Sequence, residues 1–207
     1  MYLEEPLQHY LEDLASTKAA PGGGSAAALS GAMAAGLASM VARLTLGKSD
    51  YINVQQEIEE LLQHTEKLRM RFQQLMQEDI DAYGRLSASF KMPHETDEER
   101  EARSSAIQAR LVEAALVPLE VAERSAELVH FCQRIAEIGN VQVLSDIGVG
   151  ALLASSAGEG AGWMVRINLR AMKNLELVHV LSDRLNAALK KISASSEQVT
   201  SIVEGRV

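Results

Sequence analysis

Pro21-Gly22-Gly23-Gly24-Ser25-Ala26-Ala27-Ala28-Leu29-Ser30-Gly31-Ala32-Met33-Ala34-Ala35-Gly36-Leu37-Ala38-Ser39-Met40-Val41-Ala42 is the most telling stretch of this chain. Three glycines make a loop that the backbone bends freely, and Ser25 reads as the N-cap of a helix built almost wholly of small side chains. The first-turn N–H groups of such a helix have no intrahelical partner and point over the loop, where an anion or a polar ligand edge meets them. Gly22, Gly23, Gly24 and Ser25 are therefore candidate binding positions, set against the plainer reading that the glycines only turn the chain. Small residues at Ser30, Ala34, Ala38 and Ala42, beside Gly31, Ala35 and Ser39, leave two helix faces without bulk. Other helices can approach closely there, within one subunit or across a two-fold axis. Nucleotide loops do not fit, because no Lys-Ser/Thr follows the glycines and the dinucleotide spacing is missing.

Helical spacing continues outward from this segment. The expected elements are a short helix over about 3–15, the small-residue helix to about Leu46 with Gly47 as C-cap, and a long helix over 53–90. The long helix carries an apolar stripe of Ile58, Leu61, Leu62, Leu68, Phe72, Leu75, Met76, Ile80 and Tyr83 at steps of three, four or seven. After the break at Pro93, Thr96-Asp97-Glu98-Glu99 reads as a capping box. The next helix runs toward Val117, is kinked or restarted by Pro118, and ends near Ile138. Helices over about 141–158 and 162–193 and a frayed polar tail complete the chain. No segment alternates at period two, so the expected fold is all-α: one domain over 1–207, an antiparallel helical bundle with one long helix and a glycine-rich loop.

Composition agrees. Hydrophobic residues make up 47% of the 207 residues but aromatic ones only 4%, which gives a core of Ala, Leu, Val, Ile and Met suited to helices. A net charge of −8 argues against nucleic acid and anionic membrane surfaces as partners. The single cysteine, Cys132, has no intrachain disulfide partner and reads as a buried hydrophobe. The polar N-terminus lacks signal-peptide character, and the stretch 26–42 is short and alanine-rich for a membrane span. The expectation is a cytoplasmic protein with no membrane or nucleic-acid partner.

Several polar residues stand out. Asp79 falls four after Leu75 and seven after Phe72, on or beside the apolar face of the long helix. A carboxylate there costs several kcal/mol unless it is paired, neutralised or turned to a cavity, which makes it a candidate acid/base or ligand anchor. Asn140, Ser145 and Asp146 form a second cluster, although Asp146 could merely cap a helix. Lys91, Pro93 and His94 lie in the break after the long helix, where reachable side chains are common. Glu127-Leu-Val-His130 and Glu176-Leu-Val-His179 have the spacing of di-iron carboxylate bundles. Two further inward glutamates would be needed and none is evident, so no metal is expected. Arg43, Lys48, Arg166, Arg170 and Lys173 could form an anion patch or be ordinary surface charge.

These residues resemble the cyclodeaminase/cyclohydrolase family of folate enzymes. Pro21-Gly-Gly-Gly-Ser25, Ala27-Ala28-Leu29-Ser30-Gly31-Ala32, Met40-Val41-Ala42 and Leu44-Thr45-Leu46-Gly47-Lys48 match the family's opening. Asp79-x-x-Ala82-Tyr83, Ala106-Ile107-Gln108, Val117-Pro118-Leu119, Gly139-Asn140, Ser145-Asp146-x-Gly148-Val149 and Val165-Arg166-Ile167-Asn168-Leu169 continue it in order. Ser49-Asp50 replaces lysines usual after Gly-Lys, and Met164 stands where asparagine commonly precedes Val-Arg-Ile-Asn. The resemblance implies an all-helical homodimer that binds a tetrahydrofolate substrate in a cleft lined by the glycine loop, with no cofactor. Its reactions are hydrolysis of 5,10-methenyltetrahydrofolate to 10-formyltetrahydrofolate, towards which the reading leans, or cyclodeamination of 5-formiminotetrahydrofolate with release of ammonia. A helical binding module without activity is the remaining alternative. Asp79 and Asp146 would be the carboxylates near the reacting carbon. Gly22–Ser25, Asn140, Ser145 and Asn168 would bind and orient the substrate, and Lys48 and Lys91 would meet its glutamate tail or assist proton transfer.

Overall fold

The computed structural model describes residues 2–206, which form six α-helices and no strand. After a single 3-10 turn at Tyr2–Glu4 come α1 (Leu7–Leu14), α2 (Gly23–Arg43), α3 (Gln55–Phe90), α4 (Asp97–Ile138), α5 (Leu144–Arg170) and α6 (Leu175–Glu204). The small-residue helix α2 lies against α3, α4 and α5, while α4 is packed on α3, α5 and α6. Alanines at 28, 34, 35, 38 and 42 are fully buried, so the backbone of α2 approaches its neighbours closely. Two buried or half-buried hydroxyls tie it down: Ser39 Oγ donates to Thr65 Oγ1 on α3 (2.8 Å), and Ser30 Oγ donates to the Leu153 carbonyl on α5 (3.0 Å).

The expected bundle is present, and its long third helix starts two residues later than the spacing indicates. The capping box at Thr96 and Glu99 forms reciprocally. Five local expectations need correction. α2 ends at Arg43 with Leu44 as its C-cap, and Gly47 follows in the turn with φ +74°. Ser25 does not cap α2: Gly22 occupies the N-cap in extended geometry, and Ser25 lies one turn inside. Pro118 does not restart a helix but is buried within one continuous α4. α5 runs unbroken through 158–162, because a Cβ at Gly158 would collide with Ile192 and Ser125, so that glycine serves helix contact rather than a turn. Tertiary packing here outweighs the weak helix propensity of glycine.

The actual break lies at residues 171–174. Gln108 on α4 clamps it, its Nε2 donating to the Ala171 carbonyl (3.1 Å) while its Oε1 accepts from Lys173 N (2.7 Å). Asn174 then caps α6 by accepting from Leu177 N. The polar tail is not frayed, for α6 continues to Glu204 with Ile192 and Val199 buried.

Candidate active site

The start of α2 is a tight knot of hydrogen bonds. Ser25 is fully buried and its Oγ donates back to the Gly22 carbonyl (2.9 Å), which also accepts from Ala26 N (3.0 Å). Across from it, on α3, the Asp79 carboxylate accepts the Ser25 backbone N–H. Contact is so close that a Cβ at Gly24 would overlap the carboxylate, so any larger residue there must displace Asp79. Burial pushes the Asp79 carboxyl up to about 6, and the Ser25 N–H pulls the other way without cancelling it.

Asp79 opens onto a cavity of about 280 Å³. The loop supplies Gly22, Gly23 and Gly24; α3 adds Asp79, Tyr83 and Leu86; Ala114 comes from α4 and Met164, Ile167 and Asn168 from α5. No cationic side chain lines it among the described residues. Asn168 donates both amide protons, to the carbonyls of Ala114 (2.9 Å) and Met164 (2.8 Å), leaving Oδ1 as its side-chain atom without a protein partner. Backbone N–H groups, one carboxylate and apolar walls suit a flat ligand that carries positive charge near Asp79.

The other candidate residues are elsewhere. Asn140 is buried at the far end of α2, where its Nδ2 donates to the Leu44 carbonyl (3.0 Å), its Oδ1 accepts from Gln142 N (3.1 Å) and its own N–H donates to Thr45 Oγ1 (2.9 Å). Ser145, Asp146 and Lys48 share that end, separated from Gly23 by the length of α2, about 30 Å at 1.5 Å per residue. Within one subunit they do not join the Asp79 cavity. Lys91 sits in the exposed turn after α3, about 18 Å of helix beyond Asp79, and does not line the cavity. Both Glu-x-x-His steps are exposed, Glu127 paired with Arg124 and His179 close to Asp183. Among the anion-patch candidates, Arg43 pairs with Glu66 and Lys173 donates to Ser104 Oγ. Cys132 is buried, and its thiol is pushed up to about 12.

The family described as formiminotransferase-cyclodeaminase matches residues 6–187. The chain belongs to this family. Methenyltetrahydrofolate cyclohydrolase of Methylorubrum extorquens is 34% identical over 203 residues, which cover 98% of each chain. Formimidoyltransferase-cyclodeaminase of Rattus norvegicus is 30% identical over 204 residues, 99% of this chain but 38% of the rat protein. A solved structure of formiminotetrahydrofolate cyclodeaminase from Thermotoga maritima aligns with a TM-score of 0.89 at 28% identity over 98% of both chains.

Tyr83 belongs to the family motif and Met164 departs from it, yet neither is a candidate site residue by sequence; both line the cavity, as does Leu86, which no motif marks. Tyr83 and Leu86 stand four and seven residues after Asp79 on the same helix face, and Met164 stands four before Asn168. Extending each polar candidate by helical steps would have found them. Tyr10, buried beneath the loop, left no such signal because α1 is separated from α2 by a non-helical connection.

Proposed function

We propose that the protein is a methenyltetrahydrofolate cyclohydrolase, adding water to 5,10-methenyltetrahydrofolate to give 10-formyltetrahydrofolate. One observation carries this reading: a mostly buried carboxylate, Asp79, faces a cavity without cations at the mouth of the glycine loop. The methenyl carbon lies between N5 and N10 and shares a positive charge with them, which a carboxylate in low dielectric stabilises. The end-to-end relation to the Methylorubrum extorquens cyclohydrolase favours the same substrate.

Asp79 works first as a base. A water oxygen forms a bond to the methenyl carbon while one of its protons passes to Asp79, leaving a neutral hydroxylated intermediate. The carbon–N5 bond then breaks, N5 takes the proton from Asp79, and the remaining hydroxyl proton leaves to solvent as the formyl C=O forms. One water is consumed and one proton released. No oxidation state changes, so the chemistry calls for no redox cofactor. Gly22–Ser25 offer backbone N–H groups to the polar edge of the substrate, and Asn168 Oδ1 offers an acceptor.

A second reading has an observation of its own. The structurally similar Thermotoga maritima protein is a formiminotetrahydrofolate cyclodeaminase, and in that reaction the same Asp79 would protonate the formimino nitrogen, so that it leaves as ammonia once N10 has bonded to the formimino carbon. The near-ultraviolet absorbance of the methenyl compound separates the possibilities. Accelerated loss from 5,10-methenyltetrahydrofolate is the expected result. Appearance of the band from 5-formiminotetrahydrofolate would instead establish the cyclodeaminase, and stoichiometric folate binding without either change would mark a non-catalytic module.

We further propose that the enzyme is a homodimer closed over α2 and α5. Met33 on α2 and Leu44 just past its end, with Val149, Leu152, Trp163 and Ile167 on α5, are 43–66% exposed, and no charge interrupts α2 between Gly22 and Ala42. Both helices are long and apolar enough to cross a membrane by length and composition alone, but α2 is mostly covered within the bundle. An apolar face of that extent is what a second copy would cover. A two-fold axis perpendicular to α2 would set the partner's far end over the cavity. Asp146, half-buried and without a partner among the described residues of its own subunit, is the group we propose it delivers, with Ser145 and Lys48 beside it.

A further inference from the structure

We propose that Tyr10 is a positioning residue: through Ser25, its hydroxyl fixes the glycine loop so that the Ser25 N–H stays aimed at Asp79. This rests on the reading of Asp79 as the acid/base. α1 is a short amphipathic helix, yet Tyr10 is only 2% exposed and its ring belongs to the main core. The Tyr10 hydroxyl lies 3.1 Å from Ser25 Oγ. Ser25 has one hydroxyl proton, and the bond to the Gly22 carbonyl uses it. The direction is therefore fixed: Tyr10 donates to Ser25, and Ser25 donates to Gly22.

The relay has a mechanical consequence. Ser25 Oγ is held from both sides, which fixes its χ1 and with it the peptide whose N–H meets Asp79. Asp79 is in turn in direct contact with Gly24, the neighbouring loop residue. Loop and carboxylate thus form one unit, anchored from below by a side chain that does not line the cavity. A hydrogen bond to the ionised form holds a carboxylate's pKa down, so loosening that bond raises it. Tyr10 thereby reaches the reaction without touching substrate.

Tyr10→Phe tests this, because it keeps the ring in the core and removes one oxygen. It leaves no buried donor unsatisfied, since Ser25 still donates to Gly22. The expected result is a roughly five- to tenfold fall in kcat for 5,10-methenyltetrahydrofolate with KM within about twofold. The acidic limb of kcat/KM should also move upward by about half a pH unit. Ser25→Ala should show the same limb shift, and the double variant should match Ser25→Ala alone within about twofold, because both act through one relay. Circular dichroism and urea unfolding of each variant exclude a loss of folded protein as the cause.

An unmoved limb and unchanged kcat in Tyr10→Phe, or additive effects in the double variant, would overturn the proposal while leaving Asp79 in place. An acidic limb that survives intact in Asp79→Asn would remove Asp79 as the base and, with it, the group that Tyr10 positions.

Discussion

The two ends of α2 treat polar groups in opposite ways. At the far end every polar atom of the Asn140 side chain, and the neighbouring Thr45 hydroxyl, is spent on a protein partner. At the loop end Asp79 is half-buried with one backbone N–H, no cation beside it among the described residues, and a carboxyl pushed up to about 6. A satisfied polar cluster closes a turn, whereas an under-satisfied carboxylate raises the energy of the folded state and points to chemistry. Burial of a polar residue does not separate the two cases; the count of its partners does.

The sharpest way to break this contrast is Asp79→Asn. Turnover should fall about a thousandfold, as expected for loss of a positioned base, while stability at neutral pH rises. The sign follows from linkage. A carboxyl whose pKa is raised on folding contributes stability below its unfolded range, and that contribution is lost as pH rises through about 6. An upward shift of about two units corresponds to about 3 kcal/mol at most, so urea unfolding at pH 5 and pH 8 should show the wild type losing stability relative to the variant. Wild-type kcat/KM should itself rise with pH through a midpoint near 6. Full turnover in Asp79→Asn would end the contrast altogether.

Gly24→Ala comes next. Its methyl group would displace the Asp79 carboxylate, so kcat should fall about a hundredfold, with about 1–3 kcal/mol of destabilisation from overpacking. The combination distinguishes it from Asp79→Asn, since rate and stability fall together. Stopped-flow turnover and urea midpoints on the same preparation would show this.

Asp146→Asn sharpens the comparison across subunits. Asp146 lies at the satisfied end but has no partner among the described residues of its own subunit. If a second copy delivers it to the cavity, kcat/KM should fall about tenfold or more. Mixed dimers of Asp79→Asn and Asp146→Asn subunits should then regain activity that neither homodimer has, because one of their two sites is intact. Absence of recovery in a verified mixed dimer would confine the site to one subunit.

How much of this could be read beforehand depended on the range of the interaction. The long helix, its stripe from Ile58 to Met76 and the capping box at Thr96 are local patterns that stand in the structure as the spacing indicates, whereas Tyr83 at the end of the stripe is 43% exposed. Asp79 was legible because a carboxylate in an apolar stripe is anomalous by itself. The continuity of α5 was not, since Gly158 looks like a breaker until Ile192 is known to press on it. The family resemblance puts Asn140, Ser145 and Asp146 at one site with Asp79, because a sequence gives no distance along α2. Tyr10 was invisible for the same reason: its partner Ser25 is reached through the fold, not through helical periodicity.

Asn140→Ala makes the smallest change and asks whether a satisfied cluster is only structural. The substitution strips the acceptor from Gln142 N and the donor from the Leu44 carbonyl, in a site where Asn140 is 3% exposed. Leaving such groups without partners costs about 1–3 kcal/mol, which a urea titration reads as a lower midpoint at constant m. The turn before α5 is also held by Thr45 Oγ1 and by the Tyr51 hydroxyl, which accepts from Val141 N (3.1 Å), so the backbone that carries Asp146 keeps two anchors. Per folded molecule, kcat/KM should therefore stay within about threefold. Lost turnover at unchanged stability would show that the amide acts on substrate, and partner count would then fail as the mark that separates the two ends.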